Sequence, residues 1–398
     1  MLSVDEAAGH IAAGFPRREA ERVSIAKAAG RVLAEDMFAT TDQPPAPMSA
    51  MDGYAVRAAD VADVPKQLRV VGSSPAGRPF SGRLNSGEAV RIFTGGVVPE
   101  GADSIVIQED TNSSEGAVIV REAPDAGQHV RPKGLDFSAG TPLAAAGRRL
   151  SARDVSLLAA ANFAELSVVR RPRVALVATG DELSRPGEKR NAGGIVASST
   201  FALAAMVEKW GGIVDDIGIL PDRAEAFAEL PQRTHGADLI VTQGGASVGD
   251  HDLVQSALKP HGFVLDFWKI AMRPGKPLIF GRLNETPLLG LPGNPVSAMV
   301  CALLFLRPAI AAMLGTPYTP AIERMRLAAP LKANGIRQDY VRTRIVSRAD
   351  GRYAEPFAMQ DSSMQKIFAE ADGLIVRKIG APAAKAGDDV DVLLLNEA

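Results

Sequence analysis

"RVALVATGDEL", residues 173–183, decides the fold. Its first half is a continuous apolar run rather than an alternation of apolar and polar residues, the pattern of a strand buried on both faces. It then breaks into Thr179, Gly180, Asp181 and Glu182, small and polar residues suited to a turn. Two later stretches repeat this arrangement. "IVTQGGASVGDHD", 240–252, delivers Gly244, Gly245, Ser247, Asp250 and Asp252, and "LLGLPGNPVS", 288–297, delivers Gly293, Asn294 and Ser297. Amphipathic segments such as "SSTFALAAMVEKWGG" and "DLVQSALKPHG" lie between the apolar runs. From Arg171 to about Gly315 the chain therefore predicts a central, mostly parallel three-layer α/β domain, its sheet covered on both faces. Functional residues belong at the carboxyl ends of such strands, where neighbouring loops share one crevice.

Outward from this region the character changes on both sides. Residues 3–36 show helical spacing and predict a helical opening. From Pro44 short strands such as "EAVRIF" and "AVIV" alternate with Gly and Pro punctuation, which predicts a small β-rich domain ending near Gly140. Helical periodicity returns at 151–163, with Ser151 as N-cap. After Pro320 the strands "RMRLAAPL", "YVRTRIV", "GLIVRK" and "DVDVLLL" predict a final β-barrel-like domain. The expected division is 1–44 plus 140–170 as a helical linker domain, 45–139 as an inserted β-rich domain, 171–318 as the α/β domain and 319–398 as the C-terminal β domain.

Composition narrows the function. With 44 basic and 46 acidic residues in 398, the chain has no general field for nucleic acid or an anionic membrane, so charged ligands must be met locally. The single cysteine, Cys301, sits in the apolar run "AMVCALLFL" and reads as a buried structural thiol. No unbroken apolar run reaches the roughly 18 to 20 residues of a bilayer span, and the acidic start lacks a secretory pattern. The chain reads as cytoplasmic and soluble. Its five histidines show no HxxxH pairing for zinc.

The three strand-end loops are suited to anions, because glycine lets backbone N–H groups approach without an intervening Cβ and a following helix adds its positive end. "FWKIAMRPGKP" adds Lys269, Arg273 and Lys276, and Arg can grip a tetrahedral oxyanion through two parallel N–H bonds. Asp250 and Asp252 would repel a phosphate unless a cation lies between, and Mg2+ favours one or two carboxylates completed by phosphate oxygens. Asp222, in "ILPDR", can serve as a further carboxylate or as a helix N-cap. Neither GxxxxGK[ST] nor GxGxxG occurs.

Taken together, "SAMDGYAV", "RIFTGGVVPEGAD", "RPKGLDFSAG", "TGDEL", "GGASVGDHD", "KIAMRPGKP" and "GLPGNPVSA" resemble the molybdopterin molybdenumtransferases, the family of MoeA and the gephyrin E domain. "ADGLIV" and the terminal β pattern extend the resemblance to nearly the whole chain.

That resemblance implies an elongated homodimer of four regions that inserts molybdate into adenylylated molybdopterin and releases AMP in a Mg2+-dependent step. It implies acidic active-site positions at Glu182, Asp222 and Asp252, the last two for metal or pyrophosphate. Lys269, Arg273, Pro292 and Pro295 match the molybdate pocket, and Arg273 stands where a lysine is frequent. Asp52, Thr94 and Asp136 match functional positions of the insertion, which in such dimers faces the partner's α/β domain. Arg342 and Ser362 match positions of the last domain, where Asp361 and Ser363 replace frequent glycines. A molybdopterin adenylyltransferase would stand upstream and molybdoenzymes downstream. Two alternatives are a non-catalytic molybdopterin-binding scaffold and a molybdopterin adenylyltransferase, which shares the "GGASVG" type of loop.

Overall fold

The computed structural model describes residues 1–244, 253–316 and 318–395. They form two compact units, one of residues 1–21, 30–32 and 168–398, the other of residues 22–29 and 33–167. In the first unit, helix α1, Val4–Ala13, opens with a capping box in which Glu6 N–H donates to Ser3 Oγ and Ser3 N–H donates to the Glu6 carboxylate. The helix ends at Gly14, and Ala20–Ser24 is a strand. The helical opening expected over 3–36 is thus corrected: Pro16 cannot continue the ladder, and the β-branched Val23 beyond it suits extended chain.

The α/β part of this unit is built on a six-stranded sheet. Its strands are β1 (Arg173–Thr179), β2 (Ile213–Leu220), β3 (Leu239–Gln243), β4 (Phe263–Trp268), β5 (Ile279–Leu283) and β6 (Thr286–Leu291), in the order β2-β1-β3-β6-β5-β4. The first four in that order are parallel, and β5 and β4 complete the edge antiparallel. Alternate residues of β1 serve both faces. Ala175 and Val177 join a core with Phe227, Leu230, Val254 and Leu288, whereas Leu176 and Ala178 face Phe201 and Ala204 of helix α2, Ser199–Trp210. This two-sided burial explains the continuous apolar runs. Because the chain passes from β1 to β2 on one side and then to β3 on the other, a crevice opens between the carboxyl ends of β1 and β3.

Helix α3, Pro295–Leu314, is 20 residues long and apolar enough by length and composition to cross a bilayer. Arg307 interrupts its apolar run. Its apolar window is 72% buried within the fold, where it packs against α1 and α2. Cys301, on this helix, is buried as expected, and burial pushes its thiol pKa up.

The C-terminal strands are β7 (Ile322–Leu327), β8 (Gln338–Arg348), β9 (Gly351–Pro356), β10 (Gly373–Arg377) and β11 (Asp389–Leu394). They pair as β8-β9-β7-β11-β10, and β10 returns to β8, closing a five-stranded barrel around Met325, Leu327, Ala354, Ile375 and Val392. The short strand Met272–Arg273, from the α/β part, adds to β8 in parallel, with Arg273 opposite Asp339.

The second unit holds a six-stranded sheet ordered Ser104–Ile107, Gly53–Val56, Glu88–Ile92, Lys66–Ser74, Ala117–Val120, Thr111–Ser114. A Cβ at Gly53 would lie 1.9 Å from the Val106 carbonyl oxygen, so the "DGY" of its motif reflects close strand packing. Ser151 caps the helix Ala152–Ala160 as expected, in a capping box with Asp154.

Candidate active site

At the carboxyl ends of β1, β3 and β6 lies a cleft of about 1020 Å³. Two glycine-dependent turns shape it. Gly244 follows β3 with φ +96°, and a Cβ there would lie 2.5 Å from the Thr179 carbonyl oxygen. Gly180, at φ +152°, leaves room for the Glu182 carboxylate, which a Cβ would meet at 2.7 Å. Glycine is required at Gly244 by conformation and by space, and at Gly180 by conformation. Gln243, the last residue of β3, donates from Nε2 to the Gly293 carbonyl at 2.8 Å and to Ser199 Oγ at 3.3 Å. It thereby ties the Pro-Gly-Asn-Pro turn to the start of α2.

The wall formed by β1 and β2 is acidic. Glu182 and Asp222 both line the cleft, and Asp222 N–H donates to Asp181 Oδ1 at 3.2 Å. Burial, followed by the charges of Glu182 and Asp181, raises the Asp222 pKa. The helix after Asp222, Ala224–Ala228, has no side-chain cap, so the capping role open to Asp222 is not the one it takes. From the other edge of the sheet come Arg273 and Lys276, around the Pro274–Gly275 turn, with Arg337 from the barrel, while Arg190 and Asp361 also line the cleft. Opposed charge across one cleft suits a ligand that carries anionic groups at one end and recruits a cation at the other.

Amide donors complete the floor. Helices α2 and α3 both begin at the cleft without a side-chain cap, and first-turn N–H groups favour anions. In α3, Val296 N–H donates to the Ser362 carbonyl at 3.1 Å. The Thr179 hydroxyl is buried beneath the cleft without a partner among the described residues.

The barrel supplies the remaining side. Asn294 Nδ2 donates to Ser362 Oγ at 2.8 Å. Arg342, 1% exposed, holds the Ser362 loop from behind, donating from Nε to Gln360 Oε1 and from Nη1 to the Asp361 carbonyl. Asp361 Oδ1 accepts from Ser363 N–H and its hydroxyl, which holds the Asp361 pKa down.

Of the residues singled out from sequence, Thr179, Glu182, Asp222, Gly244, Arg273, Lys276, Pro292, Gly293, Asn294, Pro295, Ser297 and Ser362 line this cleft. Gly180, Asp181 and Arg342 support it. Lys269 is not among the lining residues; it has φ +69° and its ammonium lies 3.4 Å from the centre of the Trp268 ring. Gly245, Ser247, Asp250 and Asp252 lie outside the described residues. Asp52 and Thr94 meet in the second unit, where Asp52 Oδ1 accepts from Thr94 N–H at 2.7 Å and its hydroxyl at 2.8 Å, lowering the Asp52 pKa. Asp136 N–H donates to the Gln43 carbonyl there. Sequence reasoning missed Gln243, Arg190, Arg337, Gln360 and Asp339. A glutamine closing the apolar strand "LIVTQ" was a readable signal, whereas the others act through long-range placement.

The residues matched by three family descriptions cover most of the chain: "MoeA N-terminal region (domain I and II)" at 2–162, "Probable molybdopterin binding domain" at 175–312 and "MoeA C-terminal region (domain IV)" at 324–395. The molybdopterin molybdenumtransferase of Haemophilus influenzae is 35% identical over 98% of this chain and 98% of its own. The chain belongs to the MoeA family. A molybdopterin molybdenumtransferase of Nostoc sp. is 36% identical over 95% of this MoeA-family chain and 89% of its own length. Among solved structures, a molybdopterin biosynthesis MoeA protein from Pyrococcus horikosii superposes with a TM-score of 0.85 at 29% identity, covering 99% of both chains. The MoeA fold thus accounts for the α/β domain, the inserted β-rich region and the closed barrel.

Proposed function

We propose that this chain is a molybdopterin molybdenumtransferase of molybdenum cofactor biosynthesis, inserting molybdate into adenylylated molybdopterin with Mg2+-dependent release of AMP. The observation that carries this reading is the charge division of one cleft, Glu182 and Asp222 facing Arg273 and Lys276 across the Gly244 and Pro292–Pro295 turns. A substrate with a pyrophosphate and an incoming oxyanion needs that division. Arg273 and Lys276 draw and orient the molybdate dianion, while the amides opening α2 receive phosphate oxygens.

Hard carboxylate oxygens at Asp222 and Glu182 fit Mg2+. Among the described residues no three His, Cys, Asp or Glu side chains converge on one metal position. That partial set suits an ion completed by water and substrate phosphate, with Asp252 as the further protein ligand in this proposal. When bound, Mg2+ supplies charge neutralisation at the pyrophosphate and the departing AMP.

The proposal extends to a cytoplasmic homodimer in which Asp52, Thr94 and Asp136 serve the partner's cleft, supplied by a molybdopterin adenylyltransferase and delivering to molybdoenzymes. Its test is to incubate the purified chain with adenylylated molybdopterin, molybdate and Mg2+ and to follow AMP chromatographically. Release that requires all three is expected; a folded sample that yields no AMP overturns the assignment.

A further inference from the structure

Arg273 presents a problem of control. Its side chain is 61% exposed at the cleft, and a long cation in water samples many rotamers. Charge alone would draw an oxyanion there without fixing where it sits. Asp339, which is 8% exposed in its side chain, meets this guanidinium from the barrel. Arg273 Nε–H donates to Asp339 Oδ1 at 2.9 Å and Nη2–H donates to Oδ2. This is a fork-on-fork pair, the geometry that holds guanidinium and carboxylate in one plane.

The backbone reinforces the pair. Met272–Arg273 lies parallel to the start of β8 with Arg273 opposite Asp339, and Gln338 N–H donates to the Ala271 carbonyl at 2.8 Å. Both the Cα position and the side-chain plane of Arg273 are therefore set from the barrel. A guanidinium carries five N–H donors, and the pair consumes two. The edge formed by Nη1 and the rest of Nη2 keeps a second bidentate face for a tetrahedral oxyanion.

We propose that Asp339 is a positioning residue for oxyanion binding, orienting Arg273 so that its free edge receives the molybdate substrate. This rests on the molybdenumtransferase reading and adds to it a residue that does not itself line the cleft. A competing role follows from the same geometry: a carboxylate beside an anion site weakens binding by its charge, and its removal would then tighten the site. The two roles predict opposite signs.

The experiment compares wild type, Asp339→Ala and Asp339→Asn for the molybdate dependence of AMP release, with calorimetric titration of sodium molybdate alongside. Positioning predicts that Asp339→Ala raises the molybdate KM and Kd at least ten-fold with kcat at saturating molybdate within about two-fold, and that Asp339→Asn, keeping one acceptor, falls between. It further predicts that Arg273→Ala/Asp339→Ala binds molybdate no more weakly than Arg273→Ala alone. If Asp339→Ala does not fold, Arg273→Lys, which keeps the charge but cannot form the fork, should show the same rise in KM. Unchanged or tighter binding in Asp339→Ala, or an unchanged KM in Arg273→Lys, overturns the proposal. A wild type that binds molybdate but releases no AMP refutes the transferase reading instead.

Discussion

Asp222 shows what a binding residue costs a fold before its ligand arrives. Burial and the neighbouring Glu182 and Asp181 raise its pKa, so the ionised carboxylate opposes folding. The stability tied to its neutral form is present below the ordinary carboxylate pKa and is lost as pH rises through the raised one. Asp222→Asn should therefore melt about 1–2 °C above wild type at pH 7 without Mg2+, on the scale of roughly 0.5 kcal/mol for a surface change. The difference should vanish near pH 3, and AMP release should fall at least ten-fold. A variant with lower Tm across the pH range would show that Asp222 has a structural role instead. At this scale the sequence was legible where chemistry is local. Gly180 had to be glycine for conformation and Gly244 for conformation and space, and the Pro-Gly-Asn-Pro turn announced a helix start. Asp339 and Arg337 were not legible, because nothing in "GIRQDYV" says that another domain's arginine will stand opposite.

Among the elements, the strands and helices from 171 to 315 were readable because a doubly covered sheet makes its strands apolar throughout. The N-terminal region was misread because Val23, Ile25 and Val32 can be counted into a helical period, although Pro16 ends the first helix and the β-branched residues beyond it suit extended chain. The helix Ala152–Ala160 offers a clean test of local reading. Burial works against the Asp154 charge, yet the Ser151 hydroxyl and N–H, with Arg148, hold its pKa at about 2. Ser151→Ala removes the cap and should cost about 1 kcal/mol, a fall of roughly 2–4 °C in the melting of a unit this size. Differential scanning calorimetry checks it, and an unchanged Tm would mean that packing alone sustains the helix.

For the whole molecule, the proposed homodimer makes a prediction that neither unit could make alone. Asp52→Ala and Asp222→Asn variants, each expected to lose most activity, should recover AMP release when unfolded and refolded together, toward about a quarter of wild type for random pairing of two protomers with one intact composite site per mixed dimer. Size-exclusion chromatography with light scattering would confirm the pairing, and mixtures no more active than their parents would refute shared sites. The division into α/β domain, insertion and barrel was visible as changes in strand pattern. The side-chain links from the barrel into the cleft were not, since each joins residues more than 60 positions apart.

Those links bear on how the protein can be cut. The α/β segment 171–318 has its own sheet and core and invites excision as a minimal catalyst. Severing the chain there would strip Asp339 from Arg273 and Ser362 from Asn294, removing two braces of the cleft at once. The barrel is a splint, and truncation would be felt first in loosened loops around an intact sheet.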